Sequence, residues 1–196
     1  RPLSRGLGDV YKRQILTEAC STAGLKVASA LDILYQSYGR SWDFAKPSDQ
    51  ADVAYLIVHV FRPKTIHLGI QCTEFSMMGN RNPSLDTRAC VRFAALCADH
   101  QDRWNLGASA ESPWKSDLWT DPSVLQYMDY RAQGSPWSLV RSAACQFGMT
   151  FPGHESVKVR DGNEDKVYDA FGSAIEKSRG WLANFDLELL LSLIHI

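Results

Sequence analysis

The sequence predicts an α/β domain built on a mostly parallel sheet. Apolar strand-like runs alternate with segments in which apolar residues recur every three or four positions, which is the helical spacing. Asp32, Cys72 and Glu111 each fall at the carboxyl end of a predicted strand. Because ligands of open α/β sheets bind beyond the carboxyl ends of the strands, these three residues are the first candidates for a site.

The predicted elements follow from turn and cap signals along the chain. Gly24 closes an amphipathic helix, Pro63 ends a second helix, and the turn at residues 161–163 separates the last segments. In order, the prediction is a helix end over 15–23, a strand over 26–33, a helix starting at 48–49, a strand over 65–70, a helix over 85–104, a strand over 107–110 leading to residue 111, a short helix within 114–132 and a strand over 138–145.

The two ends of the chain are expected to be translated adapter rather than protein. Residues 9–14 can be encoded by GAT GTG TAT AAG AGA CAG, and the reverse complement of that DNA encodes residues 191–196. This inverted repeat matches a transposase end used in sequencing libraries. The prediction is therefore one domain over residues 15–190, flanked by artefacts at 1–14 and 191–196.

Charge and cysteine usage narrow the class of protein. The chain has 21 basic and 22 acidic residues; the ends hold four of the basic and one of the acidic residues, which leaves a net charge of about −4 on residues 15–190. A stand-alone nucleic-acid-coating protein is therefore not expected. The five cysteines form no C-x-x-C pair, which argues against a zinc ribbon or a disulfide framework and favours a reducing, intracellular location without a bound metal. No run is long enough to span a membrane.

The three strand-end residues suggest nucleophilic chemistry. Cys72 lies on a loop after a buried strand, where a thiolate nucleophile can be exposed. Glu111 can supply a proton or a hydrogen bond to a ring nitrogen, and Asp32 can bind ribose hydroxyls. Taken singly, each has a structural explanation, because cysteines are often buried apolar residues and an aspartate after a strand often caps a helix. For Cys20, Cys90, Cys97 and Cys145 the structural explanation is preferred, and His67, in the middle of a predicted strand, is expected to be a hydrogen-bonded core residue.

The order and spacing of these residues resemble the DNA cytosine-5 methyltransferases, in the divergent form found in viral, mobile-element and protist open reading frames. The likeness is clearest over residues 16–76, where Cys72 with Phe75 and Ser76 matches the motif of the catalytic cysteine. The segment 111–113 matches the Glu-Asn-Val or Glu-Asn-Pro motif, and residues 144–148 and 180–185 match more weakly. The resemblance implies a Rossmann-like, S-adenosylmethionine-dependent methyltransferase fold that lacks its first strand and its C-terminal part.

The resemblance also implies the roles of the site residues. Cys72 attacks C6 of a cytosine flipped out of DNA, Glu111 bonds or protonates N3, and S-adenosylmethionine gives its methyl group to C5. Asp32 binds the cofactor ribose and Asp43 approaches the adenine. The loop that contains Arg81 is either a lid over the flipped base or a solvated connector.

Two substitutions depart from the family pattern. Gln71 replaces the proline before the cysteine, and Ser112 replaces the usual asparagine. The family's aromatic-x-Gly-x-Gly cofactor loop is expected upstream of residue 15, so the 196-residue chain itself is expected to be inactive, in contrast to its full-length parent. Two alternatives remain open: a degenerate, element-derived domain that binds nucleic acid without catalysis, and a cysteine hydrolase that pairs Cys72 with a histidine.

Overall fold

A computed structural model describes residues 20–33, 36–70, 73–75, 82–143, 156–161, 164–169 and 178–187. This part of the chain is a mixed α/β fold, in which helices pack against one face of a four-stranded sheet and a two-stranded hairpin forms a second sheet.

The described residues include three complete α-helices and three shorter helical segments, besides a helix end at residues 20–22. The helices are α1 (Pro47–Tyr55), which continues as a π-helix (Leu56–Phe61), α2 (Leu85–Arg103) and α3 (Pro122–Tyr127), with 3-10 turns at Thr73–Phe75 and Asp117–Thr120. The Ser84 side chain caps α2 by accepting a hydrogen bond from the Thr87 amide at 3.2 Å. The π-helix ends at Arg62, in the left-handed conformation, directly before Pro63.

The larger sheet has the strand order β1-β2-β6-β3. The strands are β1 (Thr65–Gly69), β2 (Gly107–Pro113), β3 (Ser138–Ala143), β4 (Ser156–Asp161), β5 (Glu164–Asp169) and β6 (Ser178–Ala183). β1 pairs with β2 in parallel, whereas β6 lies antiparallel between β2 and β3. β4 and β5 form the separate antiparallel hairpin, which the chain inserts between β3 and β6.

The main core lies between α2 and one sheet face. Strand side chains alternate between faces, so Ala108 and Ala110 of β2 and Leu182 of β6 point to the same side and are fully buried. They share a cluster with Val91 and Ala95 of α2. A second cluster, which contains Trp42, Val53, Phe93 and Cys97, joins α1 to α2 and includes the β1 residues Ile66 and Leu68 at its margin.

Two sequence predictions need correction. The prediction of a mostly parallel sheet is wrong for the described strands, because two of the three ladders in the larger sheet are antiparallel. The predicted buried strand over residues 26–33 has no ladder partner, and Val27 and Ile33 are 41% and 55% exposed. Two hydrogen bonds hold it: the Ser29 amide donates to the Tyr38 hydroxyl at 3.3 Å, and the Asp32 carbonyl accepts from the Trp42 amide at 3.0 Å.

Other predicted elements are confirmed. The helix over 85–104 is observed as α2, and the strands over 65–70 and 107–110 are observed as β1 and β2. Gly24, with a φ of 79°, ends a helix whose last described residues are 20–22. The predicted short helix after Glu111 is α3 together with the 3-10 turn that precedes it.

Candidate active site

The parallel register of β1 and β2 positions the two candidate catalytic segments. Gly69 is paired with Glu111, so the chain that leaves β1 toward Cys72 starts beside the glutamate. Cys72 itself lies outside the described residues, as do Ser76 and Arg81 of the predicted substrate loop. Both flanks of Cys72 are anchored: Ile70 packs against the main core, and Phe75 is buried within it.

Phe75 also ties the two segments together. Its carbonyl oxygen accepts a hydrogen bond from the Ser116 hydroxyl at 3.5 Å, and Ser116 lies five residues beyond Glu111. The predicted site residue Phe75 is therefore a core residue that holds the chain after Cys72 against the chain after β2.

Glu111 forms an ion pair that the sequence did not predict. A carboxylate oxygen of Glu111 lies 2.6 Å from a guanidinium nitrogen of Arg179 on β6, and the two side chains are 28% and 18% exposed. Arg179 immediately precedes the weak family match over residues 180–185. In the sequence, the one sign of this contact is that a basic residue, Arg179, adjoins that match. The antiparallel pairing of β6 with β2 is what brings Arg179 to Glu111.

The sheet face away from α2 carries a continuous set of polar contacts around this pair. His67 Nδ1 lies 3.0 Å from the Ser109 hydroxyl, and the His67 ring is 5.8 Å from the ring of Trp181. The Trp181 indole donates a hydrogen bond to the Ser142 hydroxyl at 2.8 Å. We call His67, Ser109, Glu111, Ser142, Arg179 and Trp181 the polar face. The prediction that His67 is hydrogen-bonded is confirmed, but its placement in the core is wrong, because its side chain is exposed.

Ser112 faces the opposite way. Its side chain is 1% exposed, and its hydroxyl has no hydrogen-bond partner in the described structure. A buried, unsatisfied hydroxyl costs free energy, so Ser112 does not stabilise the strand that carries Glu111.

The predicted cofactor residues, Asp32 and Asp43, lie in neighbouring segments. Asp32 is only 6% exposed. The Asp43 carboxylate accepts a hydrogen bond from the Ala45 amide at 3.1 Å and lies 3.3 Å from the Lys46 ammonium group. Both of its oxygens are thus engaged locally at the start of α1.

Glu74 connects the turn after Cys72 to the start of α2. Its carboxylate accepts a hydrogen bond from the Ser84 amide at 2.6 Å, and its second oxygen lies 3.4 Å from the Ser84 hydroxyl. The bond from the Ser84 amide is the main cause of a lowered pKa for the Glu74 carboxyl group. This contact, which we call the loop clamp, joins the two ends of the segment 75–83. The sequence analysis did not identify it.

Burial makes the thiols of Cys90 and Cys97 poor nucleophiles. Burial raises the pKa of the Cys97 thiol to about 12. Burial is also the largest cause of the raised pKa of Cys90, followed by the charges of Asp43 and Asp86. Because the thiolate is the reactive species, the structural interpretation of these two residues is supported. Cys20 is half-buried, and Cys145 lies outside the described residues.

Within the described ranges, no group of three or more His, Cys, Asp or Glu side chains is arranged to hold a metal ion. In the same part of the chain, no helix is long and apolar enough to cross a membrane. Comparisons with protein-family models, with curated proteins and with solved structures find no match to this chain.

Proposed function

We propose that this chain belongs to the class of S-adenosylmethionine-dependent methyltransferase-like domains with a Rossmann-like sheet. The parallel pair β1 and β2 supports this, because it brings the chain toward Cys72 and the strand that carries Glu111 to one sheet edge. Within that class, the proposed activity is methylation of DNA at C5 of cytosine. The pairing of Gly69 with Glu111 is the observation that carries the proposal. Because of this pairing, the segment that leads from β1 to Cys72 begins beside Glu111.

The proposed chemistry uses two residues directly. The Cys72 thiolate adds to C6 of a flipped-out cytosine, and the electrons of the C5–C6 double bond are displaced into the ring as Glu111 donates a proton or a hydrogen bond to N3. S-adenosylmethionine, when bound, supplies the methyl group to C5. A base then takes the C5 proton, and the electrons of that bond re-form the C5–C6 double bond as Cys72 leaves as a thiolate. Arg179 acts as a positioning residue, because its ion pair fixes the Glu111 carboxyl group.

The cofactor contacts of this proposal rest on the family resemblance alone. The burial of Asp32 and the local contacts of Asp43 do not support direct binding in the arrangement described. We therefore assign neither residue a step.

The experiment is a methyl-transfer assay on a chain that contains residues 15–190 and the cofactor loop expected before residue 15, with cytosine-containing DNA as the acceptor. We expect Cys72→Ala to abolish transfer and Glu111→Gln to reduce it by about 10²–10⁴-fold. Cys90→Ala is the matched control and should retain activity, because Cys90 is a half-buried helix residue. Unchanged transfer after Cys72→Ala would refute the mechanism.

A second proposal is a nucleic-acid-binding domain without catalysis. The buried hydroxyl of Ser112, next to Glu111, favours it because this hydroxyl has no hydrogen-bond partner in the described structure. Hydrogen bonds from neighbouring residues are what usually fix the position of a catalytic side chain. DNA binding without methyl transfer in the same assay would select this alternative. For the cysteine-hydrolase alternative, His67 is the described histidine nearest to Cys72 in the sequence, and its Nδ1 is already bonded to Ser109.

A further inference from the structure

A groove of about 530 Å³ lies on the outer side of α2, between the start of α1 and the start of α3. Arg88, Arg92 and Leu96 of α2 line it, together with Pro47, Phe93 and Pro122. Its wall is therefore largely apolar, with two arginines on one helix. No role has been assigned to this groove above.

Three of the described arginines form ion pairs, whereas Arg88 and Arg92, like Arg62, Arg131 and Arg141, do not. Arg40 pairs with Asp49, Arg103 with Asp99, and Arg179 with Glu111, each within 2.8 Å. Arg88 and Arg92 form no ion pair within the described part of the chain; the Nε of Arg88 donates a hydrogen bond to the Pro83 carbonyl at 3.2 Å. Residues four apart on a helix share one side, so both positive charges act on the groove.

One carboxylate, that of Asp121, also lines the groove. It is 8% exposed, and one of its oxygens accepts a hydrogen bond from the Ser123 amide at 2.9 Å, where it caps α3. With two arginines and one aspartate in its lining, the groove has a net charge of +1.

The groove begins at the first turn of α2, where Leu85 and Arg88 line it. The Arg88 amide donates to the Ser84 carbonyl in the first turn of α2, and Ser84 is held by Glu74 in the loop clamp. Arg88 therefore lies one helical turn from the segment that follows Cys72.

We propose that this groove binds the phosphodiester backbone of the nucleic-acid substrate, with Arg88 and Arg92 each contacting a phosphate. The inference rests on the proposed function for the identity of the ligand. Guanidinium groups match phosphate oxygens in geometry and charge, and phosphate contacts position a nucleic acid without reading its sequence. Local positive charge at the groove reconciles DNA binding with the net negative charge of the chain.

The experiment measures binding of a fluorescein-labelled 20-nucleotide single strand by fluorescence anisotropy between 50 and 200 mM salt. Each lost phosphate contact lowers the slope of log K against log salt by about 0.7 for a single strand. The double variant Arg88→Gln/Arg92→Gln should therefore lose about 1.4 from the slope. The single variant Arg92→Gln, an exposed change that leaves the Arg88 bond in place, should lose about half as much.

The matched control is Arg62→Gln/Lys64→Gln, which removes the same charge near the amino end of β1, at the opposite edge of the sheet. The control should leave the slope within about 0.3 of the unaltered chain, since it removes no phosphate contact. Equal slopes for the two double variants would overturn the proposal, as would equal competition by polyglutamate.

The two proposals can fail separately. If the groove variants change the slope but the methyl-transfer assay shows no activity, phosphate binding by the groove is supported and the catalytic proposal is refuted. If methyl transfer depends on Cys72 but the slope is unchanged, only the groove proposal falls. Cys72→Ala should leave the slope unaltered, because it removes no charge from the groove.

Discussion

Two serines on β2 show how single hydroxyl groups act differently on the two sheet faces. Ser109, on the polar face, shares a hydrogen bond with His67, whereas the Ser112 hydroxyl is buried without a partner. We expect Ser112→Ala to leave the free energy of unfolding unchanged or raise it by up to about 1 kcal/mol. Ser109→Ala is the matched change and should lower it by about 0.5–1.5 kcal/mol.

Urea denaturation of the two variants measures both values. A loss of more than about 1 kcal/mol in Ser112→Ala would show that this hydroxyl has a partner and would remove the structural reason for the non-catalytic alternative.

Cysteine reactivity is also decided at single residues. With a pKa of about 12, the Cys97 thiol is ionised in only about one molecule in 10⁴ at pH 8. We expect iodoacetamide to label Cys20 well before Cys97 in the folded chain, and to label both in guanidinium chloride. Peptide mass spectrometry gives the site of labelling, and equal labelling rates in the folded chain would contradict the burial of Cys97.

At the scale of elements, the loop clamp makes the start of α2 sensitive to acid. The pKa of Glu74 is lowered from its ordinary 4.5, chiefly by the bond from the Ser84 amide, so the folded state favours the ionised carboxylate. Its contribution to stability is present above pH 4.5 and is lost as the pH falls through the lower, folded-state pKa.

Thermal melts of Glu74→Gln and the unaltered chain between pH 3 and pH 6 test this sign. We expect the unaltered chain to have the higher Tm at pH 6 and the difference to shrink toward pH 3, as the Glu74 carboxylate becomes protonated. A difference that is constant with pH would show that the charge of Glu74 makes no contribution.

The contact between β6 and the segment after β2 depends on a glycine. A Cβ at Gly180 would lie 2.8 Å from the Trp119 ring, whose indole donates a hydrogen bond to the Pro113 carbonyl. We expect Gly180→Ala to destabilise the fold by about 1–3 kcal/mol. In a Trp119→Leu background the same change should cost less, and equal costs in both backgrounds would show that the ring is not the obstacle.

At the scale of the whole molecule, local patterns predicted α2, β1 and β2 because their signals lie within each segment. The apolar spacing over residues 85–104 marks α2, and short apolar runs bounded by Pro63 or Gly107 mark the strands. β6 was missed, because its six residues include an arginine and a glycine and its partners are about 70 residues away on β2. Alternating strands and helices also cannot show that the last strand enters antiparallel, which is why the parallel prediction failed.

The site was predictable only in part for the same reason. The motifs pointed to Cys72 and Glu111 as neighbours, and the register of β1 and β2 supports that placement. Arg179 and Glu74 act through contacts made in the folded chain, and no motif marked either residue. The apolar run over 26–33 misled the prediction, because a strand also needs a neighbouring strand to pair with.

The central claim is that Cys72 forms a bond to C6 of cytosine during methyl transfer. DNA with 5-fluorocytosine at its target position tests it most directly, because fluorine at C5 cannot leave as a proton and the bond to Cys72 then persists. With S-adenosylmethionine and the chain used in the methyl-transfer assay, we predict a covalent protein–DNA adduct whose mass includes one methyl group, located at Cys72 and absent in Cys72→Ala. An adduct at another residue, or methylated cytosine produced by the Cys72→Ala variant, would contradict the account.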